Sequence, residues 1–201
     1  MNVPPKLPLI GSRLPRGFYQ QSTPVVAAEL IGKALLHRTS NGDWVGGWIV
    51  ETEAYLGEND AASHSARGLT RSNRSMFSAP GTLYVYPIHA RHCLNAVTEC
   101  EGTGAAVLIR AIEPVWGIGE MKKRRGYEDI RRLTRGPAML CQALSIDRED
   151  DGRCLIGDPR LGIFHGPDAR RIAKSPRIGI SQARDLLLRY VDADSAFRSR
   201  K

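Results

Sequence analysis

Two apolar runs, ALLHRT at 34–39 and WVGGWIVETEAYL at 44–56, flank the dipeptide Asn41-Gly42. Asn-Gly suits a tight hairpin turn because both turn positions want positive φ. So short a connection makes the two strands antiparallel, since a parallel pair needs a long crossover. Three more strand-like runs follow, TLYVYPIH, HCLNAVT and AAVLIRAIE, and the tail adds RIGI and LLLRYV. Thr23-Pro24 ahead of VVAAELIG reads as N-cap, N1 proline and a short helix ending at Gly32. The stretch from Pro114 to Ser145 is helical in pieces, with breaks near Gly126 and at Arg135-Gly136-Pro137. Strands precede helices and then return. This order predicts an α+β domain with a largely antiparallel sheet, not a doubly wound parallel one.

At 201 residues and 42% hydrophobic content the chain suits one packed core. We read residues 1–17 as an N-terminal arm and 18–201 as a single domain. No apolar run is long enough for a membrane span, and the proline-rich start MNVPPKLPLIGSRLPRG makes a poor signal peptide. Cys93, Cys100, Cys141 and Cys154 stand singly, which predicts reduced, buried thiols and a cytoplasmic location (at the nucleoid if the source is bacterial). The net charge is +8, and with only six lysines among 29 basic residues arginine dominates. Arginine's planar fork suits phosphates and stacks on bases, so the balance favours a nucleic-acid partner over an acidic membrane.

Glu51-Thr52-Glu53-Ala54-Tyr55 lies inside an apolar strand, where Glu51, Glu53 and Tyr55 share a face. Two carboxylates about 7 Å apart beside an aromatic form an acid/base site, or else an exposed face with solvated charges. Tyr84 and Tyr86 offer a platform for a nucleobase, or else pack as a core pair; Pro87 marks a sheet edge or bulge that turns His89 towards the same opening. The polar stretch from Gly57 to Pro80 is longer than an ordinary connection, as functional loops often are. His89, His92, Cys93 and His64 lack metal-site spacing, Asp147–Gly152 reads as a solvated turn without calcium-loop spacing, and phosphate-binding glycine loops are absent. No metal or cofactor is expected. Between Lys33 and Lys122 there is no lysine, so this motif-rich stretch offers no amine for a Schiff base and water is the expected nucleophile.

VETEAYLGENDAASHS, NRSMFSAPGTLYVYPIHARHCLNAV, AVLIRAIEP and GPAMLCQAL, with the tail RIGIS…DLLLRYVDADSAFRS, occur in an order that resembles the 3-methyladenine DNA glycosylase family of the alkyladenine (AAG/MPG) type. The likeness runs from about Phe18 to about Phe197 and implies the AAG-like fold, a curved antiparallel sheet with flanking helices. It also implies excision of alkylated purines from double-stranded DNA by a monofunctional enzyme, which leaves an abasic site. By the same resemblance Glu53 activates the water, while Tyr55 and Tyr86 cover the two faces of the flipped base. His64 walls the pocket, and Asn95 crowds out guanine's 2-amino group. Arg110 holds the phosphate of the extruded nucleotide. His89 is the wedge, and Thr70, Met76, Arg91 and Arg135 face the DNA.

Two positions depart from the pattern. Animal members carry tyrosine where His89 stands, and Met139 occupies a place often held by lysine, for which Arg135 or the cluster Lys122–Arg125 supplies charge. The N-terminal extensions of animal members are lacking, as expected of a bacterial member. A monomer with no obligate protein partner and no membrane contact is expected. A lesion-binding module of the same fold, and an RNA-binding domain suggested by charge alone, are the alternatives.

Overall fold

The computed structural model describes residues 13–166 and 171–199. Two short helices, α1 (Arg16–Tyr19) and α2 (Thr23–Glu29), precede the strands β1 (Ala34–Arg38), β2 (Trp44–Tyr55), β3 (Leu83–Ile88), β4 (Arg91–Thr98) and β5 (Ala105–Trp116). Helices α3 (Ile118–Arg125) and α4 (Pro137–Leu144) follow, then β6 (Leu161–Phe164), β7 (Ile172–Ser175) and β8 (Arg189–Asp192). The strands form one sheet in the order β3-β4-β5-β2-β1-β6, with β8 also paired to β2 and β7 to β8, and each of these pairings is antiparallel. The fold is therefore the expected α+β type, with β3 carrying Pro87 at the sheet edge, where a missing N–H costs no ladder bond.

β2 organises the sheet. One of its edges meets β5 along most of its length; other partners are β1 over Trp44–Trp48 and β8 over Glu51–Glu53. Register shifts around Glu51 in the β2–β5 ladder bend this region. Near its start, β2 is squeezed between neighbours. A Cβ on Gly46 would sit 2.0 Å from the Leu35 carbonyl oxygen, and one on Gly47 1.8 Å from that of Glu113. Only glycine permits such an approach.

Alternation sorts the side chains onto two faces. Leu83, Val85, Leu94, Ala96, Val107, Ile109, Ile49 and Ala54 point into the main core, together with Val26, Ala27 and Leu30 of the α2 region and Leu140 and Leu144 of α4. Each large apolar chain buried there contributes about 1.5–3 kcal/mol. Thr52 points the same way, its Oγ1 donating to the Ala27 carbonyl at 2.7 Å. The intervening residues, among them Glu51, Glu53, Tyr55, Tyr84, Tyr86, Asn95 and Arg110, are left for the other face.

Several local expectations change. The α2 N-cap is Ser22, not Thr23, whose N and Oγ1 bond to Glu99 instead. RIGI is not a strand: Pro176 ends β7 and Gly179 takes φ +80°, so the segment turns away from any ladder. Of the second tail run LLLRYV only Arg189, Tyr190 and Val191 are strand, within β8, while β6 and β7 carry no sequence signal because four residues are too short to show a period. Asp147–Gly152 is solvated only in part: Asp147, Arg148, Glu149 and Gly152 are exposed, but Asp150 is buried. Asp147 and Asp150 form a capping box, Asp150 pairs with Arg153 at 2.8 Å, and Asp151 accepts from Val85 N and Ser75 Oγ. All four cysteines are free, but Cys100 and Cys154 are exposed rather than buried. Most of the expected N-terminal arm lies outside the described residues; of the rest, Leu14 is buried with its N–H donating to the Ile163 carbonyl, while Pro15, Arg16 and Gly17 are exposed.

Candidate active site

A row of cross-strand partners positions the site: Tyr84 opposite Asn95, Asn95 opposite Leu108, Leu108 opposite Glu53, and Glu53 opposite Arg189. Above it opens a cavity of about 820 Å³, lined by Tyr55, His64, Met76, Tyr84, Tyr86, Asn95 and residues 179–182, among others. That volume falls in the range of small-molecule sites. The loop from Gly57 to Pro80 contributes Ala61, Ala62, Ser63, His64, Ala66 and Arg67 to its wall. Asn73 holds this loop in shape, accepting from Thr70 N at 2.7 Å and donating to the carbonyls of His64 and Gly68.

Aromatic rings dominate the lining. The His64 ring meets Tyr86 edge to face at 4.5 Å, and Tyr84 and Tyr86 stand 5.5 Å apart at 34°. His64 Nδ1 is 2.9 Å from the Tyr84 hydroxyl. Burial, reinforced by Arg67, lowers the His64 pKa, so the ring is neutral at pH 7. Burial also raises the phenols of Tyr55 and Tyr86 and pushes Tyr84 up to about 12, so all three stay protonated. The lining thus combines π faces with uncharged polar groups. Asn95 is 3% exposed and its Nδ2 donates to the Tyr84 carbonyl at 3.0 Å, which fixes the side chain's orientation.

Behind Tyr55 lies a buried carboxylate pair. Glu53 Oε2 accepts from the Tyr55 hydroxyl at 2.9 Å and from Arg110 Nη1 at 3.1 Å, and its Oε1 accepts from the Ile178 N–H at 2.8 Å. Glu53 is completely buried and touches the cavity through Tyr55 and the segment after Ile178. Glu51 is equally buried but differently employed. It accepts from Arg110 Nε, Arg189 Nε and the N–H and hydroxyl of Ser199. Burial works against its charge, yet Arg189 and Arg110 outweigh that and hold its pKa below the ordinary value. The solvated-face alternative for these glutamates therefore fails.

Other expected residues fall in different places. Arg110, expected at a phosphate, is 7% exposed and directs its guanidinium at Glu51 and Glu53, within the carboxylate cluster and not on the surface. Met76, expected to face DNA, is 2% exposed and packs with Tyr84 and Val97 at the cavity wall. Arg135 is half-buried, with Nε on the Arg198 carbonyl at 2.8 Å. Thr70 and Arg91 are exposed, as is His89 at the β3–β4 turn, where its φ is +50°. Sequence reasoning passed over Tyr84's partnership with His64, and over Arg177 and Arg189 altogether. The tyrosine alternation was a usable signal for Tyr84; nothing local marks the two arginines.

A buried carboxylate held by arginine behind an aromatic-lined cavity, on an antiparallel α+β sheet, is the arrangement of an enzyme site. The sequence pattern of the family described as methylpurine-DNA glycosylase (MPG) matches residues 17–196. A protein of Rhodopirellula baltica, provisionally named a 3-methyladenine DNA glycosylase, is 55% identical over 180 residues, covering 86% of this chain and 77% of its own length. Proteins with the same provisional name from Prosthecochloris aestuarii and Chlorobaculum tepidum are 45% and 44% identical, each over 94% of this chain and 91% of their own length. The chain belongs to the methylpurine-DNA glycosylase family. It is a DNA glycosylase of base excision repair, and DNA is its substrate. Among the described residues no helix is long and apolar enough to cross a membrane.

Proposed function

We propose that this glycosylase acts as a monomer on double-stranded DNA, swings alkylated purines into the cavity and hydrolyses their N-glycosidic bond to leave an abasic site. 3-Methyladenine and 7-methylguanine are the principal substrates, with hypoxanthine and ethenoadenine as further candidates. A base inside a duplex is out of reach, and unstacking it costs a few kcal/mol, least for lesions that pair poorly. The observation that carries the reading is Glu53, held by Arg110, the Tyr55 hydroxyl and Ile178 N–H, directly behind a cavity lined by Tyr55, His64, Tyr86 and Asn95.

The chemistry follows from this setting. A 3- or 7-alkylated purine is cationic, is attracted to π faces and is already a good leaving group. A neutral His64 adds no repulsion. What remains is to activate water and to support the sugar's developing positive charge. A carboxylate has about four acceptor sites. Glu53 uses three, with donors that fix its orientation, and so can take a water as the fourth and accept its proton as the water attacks C1′. No lysine lies between Lys33 and Lys122 to form a Schiff base, which favours hydrolysis without strand scission.

The test compares release of free 3-methyladenine from methylated duplex DNA by wild type and by Glu53→Gln. The variant should keep its DNA affinity and lose release by about 10²-fold or more, in the range of a lost general base. Equal release from both proteins would sink the assignment.

A further inference from the structure

Arg177, from the tail, and Asp60, from the long loop, form the most thoroughly buried ion pair in the described structure: both side chains are 0% exposed. The contact is bidentate, Nη1 to Oδ2 at 2.6 Å and Nη2 to Oδ1 at 2.7 Å, and Nη1 also reaches the Ala54 carbonyl at 3.0 Å. The guanidinium carbon lies 4.7 Å from the centre of the Tyr55 ring. Nε is buried without a hydrogen-bond partner, so Asp60, Ala54 and the ring stabilise this cation.

Each partner organises one wall of the cavity. Asp60 accepts from Leu56 N and Ala62 N, and thereby shapes the turn that carries Ala61, Ala62 and His64. Arg177 is followed immediately by Ile178, whose N–H bonds to Glu53, and then by residues 179–182, which line the cavity. A buried pair this expensive to desolvate is poor evidence for stability alone, because an apolar pair of similar volume often serves as well. Its bidentate geometry instead suits exact placement.

We infer that the Asp60–Arg177 pair is a positioning device for the reaction, locking the Tyr55 ring, the Ile178 N–H on Glu53 and the loop that carries His64 into one geometry. This inference rests on the proposed role of Glu53. Arg177 acts through Tyr55 and Ile178, not by touching substrate. Misplacing such groups by about 1 Å can cost roughly 10²-fold in rate, while duplex binding through the outer surface is left largely intact.

The test measures two quantities well below each variant's melting temperature. One is the single-turnover rate of 7-methylguanine release from methylated duplex DNA; the other is the affinity for a duplex containing a tetrahydrofuran abasic analogue. Arg177→Met should release base about 10- to 100-fold more slowly while its affinity changes less than about threefold. Arg177→Lys should not restore the rate, since an ammonium can neither grip Asp60 at two points nor stack on Tyr55. Asp60→Asn, which retains the guanidinium, provides a second reading if the Met variant does not fold, with an expected loss of at least about threefold. Wild-type rates in Arg177→Lys or Asp60→Asn would overturn the inference. A wild type that released no base would instead defeat the proposed function, so the two failures are distinguishable.

Discussion

Asn95 shows how little freedom a residue in this site retains. It is nearly buried, faces the cavity from β4, and spends an Nδ2 hydrogen on the Tyr84 carbonyl. A base seated over the sheet would meet this amide edge-on, and guanine's 2-amino group is a bulky donor. Asn95→Ala or Asn95→Ser should therefore raise excision of guanine-type bases relative to adenine-type ones, by roughly 10-fold if one unfavourable contact worth about 1–3 kcal/mol is removed. Assays on undamaged, 7-methylguanine and 3-methyladenine DNA check this, and an unchanged purine profile would count against it. Glu51 and Glu53 make the complementary point. They are two residues apart and equally buried, yet one is saturated by Arg110, Arg189 and Ser199 while the other is held beside the cavity. Identical side chains take different roles because their neighbours differ.

At the level of elements, the β3–β4 hairpin joins the site to the outside. Its strands contribute Tyr84, Tyr86 and Asn95 to the cavity, and its turn presents exposed His89 next to Ile88, which is 42% exposed. The ladder runs out to the pair Ile88–Arg91, so the turn is carried on a two-stranded arm paired up to its tip at the sheet's edge. If His89 fills the gap left by an extruded nucleotide, His89→Ala should speed dissociation from lesion DNA about 3- to 10-fold, since base stacking on a side chain is worth about 1–3 kcal/mol and imidazole is small. Stopped-flow release would measure it, and an unchanged off-rate would remove His89 from the wedge role. This element was legible in advance: alternation in TLYVYPIH and HCLNAVT, with Pro87 as an edge marker, predicts both strands and the shared face. The tail was not. Segment 177–180 has the composition of a strand but follows Pro176 and contains a positive-φ glycine, and its work is to pass Ile178 N–H to Glu53.

The whole molecule carries net charge +8, with Arg67, Arg71, Arg74 and Arg91 exposed on the loop and hairpin that border the cavity. If those four meet phosphates, the logarithm of DNA affinity should fall with the logarithm of salt at a slope of about −3 to −4, near 0.9 per contact. A slope near zero would mean that this surface does not bind the backbone. Acid should act on the interior instead. Glu51 and Asp60 both have pKa values held below their ordinary ones by arginines that outweigh the burial penalty. A carboxyl depressed in the fold stabilises it above its unfolded pKa, about 4, and that stability is lost as pH falls towards the folded value. The urea midpoint should thus drop steeply below about pH 4, beyond the shallower decline that neutral His64 brings below about pH 6.5; constancy from about pH 5 down to pH 3 would contradict the arrangement.

What the linear sequence determines is local and periodic: a hairpin at Asn41-Gly42, strands whose alternate residues face opposite ways, and hence Glu51, Glu53 and Tyr55 on one side, with Tyr84 and Tyr86 likewise paired. These follow from backbone geometry over a few residues. What only tertiary structure decides is which charges neutralise one another. Asp60 and Arg177 are 117 positions apart, and Glu51 and Arg189 138. A buried charge is tolerable only where an opposite one arrives within a few ångströms. No pattern in the chain announces that meeting, because it depends on where an entire folded sheet and its tail bring the two groups.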